Sequence, residues 1–117
     1  MKRSAGLKAL VTLAATTFAM SLSSVAFADV DADAAQALAK KNDCFKCHAV
    51  DKTKKGPAYK KIAEKYKGKA DGEEKCIKNI TTSPKVKLED GTEEEHKVID
   101  TKDQKEMKNL CGWILSR

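Results

Sequence analysis

Apolar residues recur at helical spacing in four short segments of this chain, and nowhere do they sustain the period of two that marks a strand. Asp31 or Asp33 is placed to cap a first helix running through Lys41, with Ala34, Ala35 and Leu38 on its inner face. Tyr59, Ile62, Ala63 and Tyr66 then stand at i, i+3, i+4 and i+7 of a second helix, Ala58 to Tyr66. Gly56-Pro57 introduces that helix, since proline suits a first turn, and Gly68 closes it. Asp71 caps a third helix in which Cys76 and Ile80 share a face, and Ser83-Pro84 stops it. Residues 84–100 carry no helical period and hold the turn signal Asp90-Gly91, so they predict a loop. Thr101 or Asp103 caps the last helix, where Met107, Leu110, Trp113 and Ile114 form one apolar stripe. The pattern predicts an all-α fold of about four helices without an internal repeat.

A different pattern occupies the first 28 residues. Lys2, Arg3 and Lys8 precede an apolar run from Ala9 to Met20, and Ala26-Phe27-Ala28 supplies small residues around a cleavage point. This predicts a cleaved secretory signal peptide over residues 1–28, and one domain over residues 29–117. The competing reading, an uncleaved anchor, meets a run shorter than the roughly 20 apolar residues a bilayer needs. Export points to a bacterial periplasm, where thiols tend to oxidise.

Composition sharpens the problem of the core. Beyond residue 28 the aromatics are Phe45, Tyr59, Tyr66 and Trp113, and 34% of the whole chain is charged. So small and polar a chain buries only a modest apolar core from its own side chains. A large flat apolar cofactor would fill the middle, and a partly disordered chain would fit the same composition.

The stretch Cys44-Phe45-Lys46-Cys47-His48 supplies the means to hold one. It reads C-x-x-C-H, the attachment pattern for a c-type haem. Two thiols three positions apart can each form a thioether to a haem vinyl group, and the adjacent histidine offers an imidazole nitrogen to the iron. The remaining axial position then decides between electron transfer and the binding of a small molecule.

Taken in order, the chain resembles the class I cytochromes c of the small bacterial type. The resemblance covers nearly all of residues 29–117 and is carried by Cys44, Cys47, His48, Gly56, Pro57, Tyr59, Tyr66, Gly68 and the closing Trp113-Ile114-Leu115-Ser116. It implies about four helices packed around one covalently bound haem c, with the first and last helices crossing, here through Leu38 against Leu110 and Ile114. It also implies that the carbonyl of Pro57 accepts a hydrogen bond from the proximal His48, fixing the ring's tautomer and orientation.

The family's sixth ligand is usually a methionine in the loop before the last helix, yet residues 84–100 contain none. Three readings stand open. His96, 17 residues before Trp113, binds iron opposite His48, with Val98 and Ile99 packing on the haem face. Met107 binds, although a methionine on a helical apolar stripe is more often core. Or the iron is five-coordinate, or weakly held by Lys85, Lys87 or Lys97, which must first lose a proton. The polar flanks Glu93-Glu94-Glu95 and Lys97 also suit a solvent-facing His96. The metal-ligand expectation rests on His48 and His96, a pair that predicts a lower potential than methionine ligation.

Cys76 and Cys111 form the even pair left over, and an oxidising compartment predicts a disulfide between them. By the family's packing their helices can meet. The bridge would tie the loop carrying His96 at both ends.

Between residues 40 and 69 stand eleven lysines against Asp43, Asp51 and Glu64, while acidic residues gather from Glu89 to Glu95. In the family such a basic field surrounds the haem edge and steers redox partner proteins with acidic docking surfaces; the plainer reading is solvated lysine. The leading function is a periplasmic carrier of single electrons. The alternative is a haem protein that binds or senses nitric oxide, carbon monoxide or oxygen at an open or labile sixth site. A zinc site from Cys44, Cys47 and His96 lacks the second paired cluster, and a thiol-redox role lacks a βαβ setting. No acid–base constellation argues for an enzyme, and aromatics interleaved with basic residues, as nucleic-acid binding needs, are missing.

Overall fold

The first helix forms where its start is capped by the chain's own carboxylate. In the computed structural model, which describes residues 29–117, Asp31 is extended and accepts a 3.0 Å hydrogen bond from the amide of Ala34, opening α1 (Ala32–Lys41). Asp33 in its first turn and Lys40 and Lys41 in its last complement the helix dipole. The expected signal peptide, residues 1–28, lies outside the described residues. The buried face of α1 is Ala35 and Ala39, with Leu38 half-buried; the predicted inner residue Ala34 is exposed.

A single 3₁₀ turn, Cys44–Lys46, comes directly after α1. The second helix, α2 (Tyr59–Tyr66), begins one residue later than expected, and Pro57 stands outside it rather than in its first turn. The amides of Tyr59 and Lys60 instead bond the carbonyls of Ala49 and Val50, at 2.9 and 3.1 Å. These bonds satisfy two of the orphan donors at the start of α2 and strap it to the segment after His48. Gly68, at φ +73°, releases the chain from α2. In α3 (Gly72–Thr82) the expected cap also differs: the carboxylate of Asp71 pairs with Lys75 at 3.1 Å and caps no amide.

Residues 84–100 hold more order than a loop. Lys85–Lys87 (β1) and Glu93–Glu95 (β2) pair antiparallel, with Lys85 opposite Glu95, Val86 opposite Glu94 and Lys87 opposite Glu93. The turn between them is built at Asp90-Gly91, where Asp90 Oδ1 accepts from the amide and hydroxyl of Thr92. Opposite charges face across the hairpin, and neither strand offers the apolar alternation by which strands are recognised.

The last helix, α4 (Gln104–Leu115), is capped by Asp103, which accepts from the amide of Lys105 at 2.8 Å. It packs against α1, α2 and α3 and carries the centre of the core: Trp113, Leu110 and Cys111 are its most deeply buried side chains. The α1–α4 approach is close. A Cβ on Gly112 would stand 3.1 Å from Val30, and Asp31 and Asn109 exchange two 2.9 Å hydrogen bonds. Cys76 of α3 and Cys111 of α4 face each other with Cα atoms 5.9 Å apart and meet in disulfide geometry. Among the described residues no helix is long and apolar enough to cross a membrane.

Candidate functional site

Asp43 sits in the left-handed region at φ 57° and turns the chain sharply out of α1. The amides of Cys47 and His48 both bond the carbonyl of Cys44, at 3.2 and 3.0 Å, so the motif is coiled into one tight turn. Cys44 and Cys47 are both free thiols and half-buried. Burial pushes the Cys44 thiol above its ordinary pKa, which keeps it protonated at neutral pH.

The Gly56-Pro57 segment fixes the ring of His48. Its Nδ1 lies 2.7 Å from the Pro57 carbonyl, which can only accept, so Nδ1 carries the proton and Nε2 is left with a free lone pair. Gly56 lets the chain pass behind the ring: a Cβ there would fall 2.8 Å from His48 Cε1. Burial holds the His48 pKa below its usual value, against the opposing pull of the Pro57 carbonyl, and the charge of His96 lowers it further. The ring is therefore a neutral imidazole at pH 7, the form that binds a metal.

His96 lies directly after β2, with its ring centroid 6.2 Å from that of His48 and the planes tilted by 44°. Both rings are then near enough to serve one metal centre, and imidazole is a common metal ligand. His96 Nδ1 lies 3.0 Å from the Lys97 carbonyl, which can only accept, so here too Nδ1 is the donor. His96 is held by its backbone: its amide donates to the Pro84 carbonyl and its carbonyl accepts from Ser83 Oγ, both at 2.8 Å. Met107 is buried in the core with Leu110, Lys85 and Lys87 lie on β1, and Lys97 pairs with Asp43 at 3.3 Å.

Sequence reasoning missed the aromatic wall beside this site. Tyr59 stacks on His48 at 5.1 Å, and Phe45, Tyr59 and Trp113 meet edge to face at 5.6–6.4 Å. Their spacing in sequence is irregular, so no period linked them. The indole Nε1 of Trp113 is buried and has no partner among the described residues. A buried N–H without an acceptor is uncommon, and a bound group with acceptor oxygens would satisfy it. Among the described residues no three His, Cys, Asp or Glu side chains gather as a metal-ion site. Two facing histidines alone supply two donors, so a six-coordinate iron would need four more from a macrocycle. The residues present fit a haem: a pair of thiols, two imidazoles presenting the same nitrogen, and an apolar wall.

Fold and site together define a mostly helical protein with the means to hold a haem covalently. A family model described as cytochrome c matches residues 32–117, and this chain belongs to the cytochrome c family. Its structure is similar to that of the class 1 cytochrome MtoD from Sideroxydans lithotrophicus ES-1, at 58% identity and a TM-score of 0.72 over 75% of this chain and 97% of that one. It is also similar to cytochrome c552 of Nitrosomonas europaea, at 32% identity and a TM-score of 0.55 over 69% of this chain and 96% of that one. Among curated sequences, a cytochrome c-552 of Nitrosomonas europaea is 52% identical over 56 residues, 47% of this chain and 50% of that protein. A cytochrome c-551 of Allochromatium vinosum is 40% identical over 43 residues, 37% of this chain and 46% of that protein. These matches span about half the length of the curated relatives. Members of the family carry one covalently bound haem c.

Proposed function

We propose that this chain is a periplasmic carrier of single electrons between redox proteins, released from a signal peptide at residues 1–28. Cys44 and Cys47 would hold the haem by thioether bonds, His48 would be the proximal ligand and His96 the distal one. The observation that carries the reading is the pair of imidazoles with ring centroids 6.2 Å apart, each with Nδ1 within hydrogen-bond distance of a backbone carbonyl. The haem, when bound, supplies an iron that accepts and returns one electron. The chain's own residues orient both rings, and they exclude water with Tyr59, Phe45 and Trp113. Filling both axial positions leaves no place for a substrate, which favours electron transfer over chemistry on a bound molecule.

Charge sets the docking side. All eleven lysines between residues 40 and 69 are exposed, and in sequence they flank the segment that carries the thiols. A partner with an acidic surface would be steered to that side, with a rate that falls as salt rises. The Cys76–Cys111 disulfide belongs to the same picture, since export delivers the chain to an oxidising compartment.

Low-temperature electron paramagnetic resonance of the oxidised protein tests the ligands. The expected spectrum is low-spin with two imidazole ligands, and His96→Ala should convert it to high-spin. An unchanged spectrum in His96→Ala would remove His96 from the iron. Rapid binding of carbon monoxide by the reduced wild-type protein would favour the small-ligand alternative.

A further inference from the structure

We propose that Asn42 is a positioning residue for the distal side of the haem. It fastens the segment behind His96 to the turn that carries Cys44, and so limits how often the distal imidazole leaves the iron. The inference rests on His96 being the distal ligand.

Asn42 is the one buried polar side chain among the described residues, 3% exposed. Both ends of its amide are used. Nδ2 donates to the Leu38 carbonyl at 3.0 Å, and Oδ1 accepts from the backbone amide of Asp100 at 2.9 Å, across 58 residues of sequence. Ending α1 requires neither bond, because the Asn42 backbone amide already reaches the Leu38 carbonyl at 3.1 Å. The link to Asp100 is therefore an additional, long-range tie. Cys44 lies two residues after Asn42 and Asp100 four residues after His96, so one side chain couples the haem-attachment turn to the distal segment.

Two ion pairs bridge the same gap, Lys41–Asp100 and Lys97–Asp43, both at 3.3 Å. Their side chains are 47–70% exposed, and exposed pairs contribute little. On its other side the segment is held by α3 and the hairpin, through Ser83 and Pro84 on His96 and through the Ile99 amide on the Ile80 carbonyl at 2.8 Å. The α1 side thus depends on a single part-buried hydrogen bond, whose loss leaves the Asp100 amide without its protein partner. Opening of the segment is a local equilibrium, and an outside ligand can reach the iron only from the open state.

The test uses the haem-loaded protein. Carbon monoxide is mixed with reduced wild type and with Asn42→Ala, and the binding rate is read from the haem spectrum. The expected result is a rate about fivefold higher in Asn42→Ala, equivalent to about 1 kcal/mol, the typical net contribution of one hydrogen bond. Asp31→Ala removes the cap at the far end of α1 and serves as a control for general destabilisation; its rate should stay within about twofold of wild type. Lys97→Ala should do the same. Equal rates in wild type and Asn42→Ala, or an equal rise in Asp31→Ala, would overturn the proposal. Amide hydrogen exchange of the wild type gives a second measurement that needs no variant. Asp100 should be protected well beyond an exposed loop amide, and an unprotected Asp100 also overturns the proposal. A wild-type spectrum without two imidazole ligands is a separate failure, that of the ligand assignment itself.

Discussion

Each histidine of the site owes its direction to one backbone carbonyl, and His48 depends as well on the missing side chain of Gly56. Gly56→Ala would bring a methyl group to 2.8 Å from Cε1 and 3.1 Å from Nδ1, against a ring already pinned to Pro57. The ring must turn or the turn must open. The expected outcome is a lower yield of haem-loaded protein and a weakened proximal bond, read as a shift in the Soret band and a larger fraction of high-spin iron. A normal spectrum at normal yield would show that the turn gives way without disturbing His48. At this scale the attachment motif and Pro57 were legible because neighbouring residues announce them. Asn42 was not: at a helix end it looks like any surface asparagine, and its burial depends on Asp100, far along the chain. The same holds for Trp113, Tyr59 and Phe45, which only the fold brings into one wall.

The helices were readable because local signals set them. Asp31 and Asp103 cap as expected, and Tyr59 with Ala63, Cys76 with Ile80 and Leu110 with Ile114 mark buried stripes. The hairpin escaped because its strands have three residues each and an almost wholly charged sequence; the cross-strand partners and the Asp90-Gly91 turn define it, and pairing is invisible in a single segment. The tie between α3 and α4 is where an element-level prediction falls. A bridge between Cys76 and Cys111 closes a separation of 35 residues, and on the chain-entropy model it contributes about 3–4 kcal/mol. With Cys44 and Cys47 consumed by haem, the denatured, unreduced protein should show no reactive thiol. Two reactive thiols would mean that Cys76 and Cys111 are unjoined in solution, and the hairpin would then have no covalent tie between α3 and α4 at its two ends.

Across the whole molecule, acid should loosen the fold through a few surface carboxylates. Asp43 is held below the ordinary carboxylate range by Lys97 and Lys46, Asp71 by Lys75, Asp90 by Thr92 and Asp100 by Asn42 and Lys41. Each folded pKa is depressed, so each contribution is complete above the unfolded value of about 3.9 and is lost as pH falls through the folded one. Denaturant midpoints should therefore show no dependence on these groups at neutral pH and should fall below about pH 4. Asp100→Asn should be less stable than wild type at pH 7, with the gap closing in acid. A gap that persists unchanged at pH 3 would show that the charge of Asp100 contributes nothing. The aromatic wall has one more consequence. Trp113 is the only tryptophan in the chain, and through Tyr59 it stands two ring contacts from His48. A porphyrin held by His48 would therefore quench indole fluorescence by energy transfer. The native protein should be dark on excitation near the indole band, and its emission should appear only when α4 separates from the cofactor, giving a built-in optical gauge of unfolding.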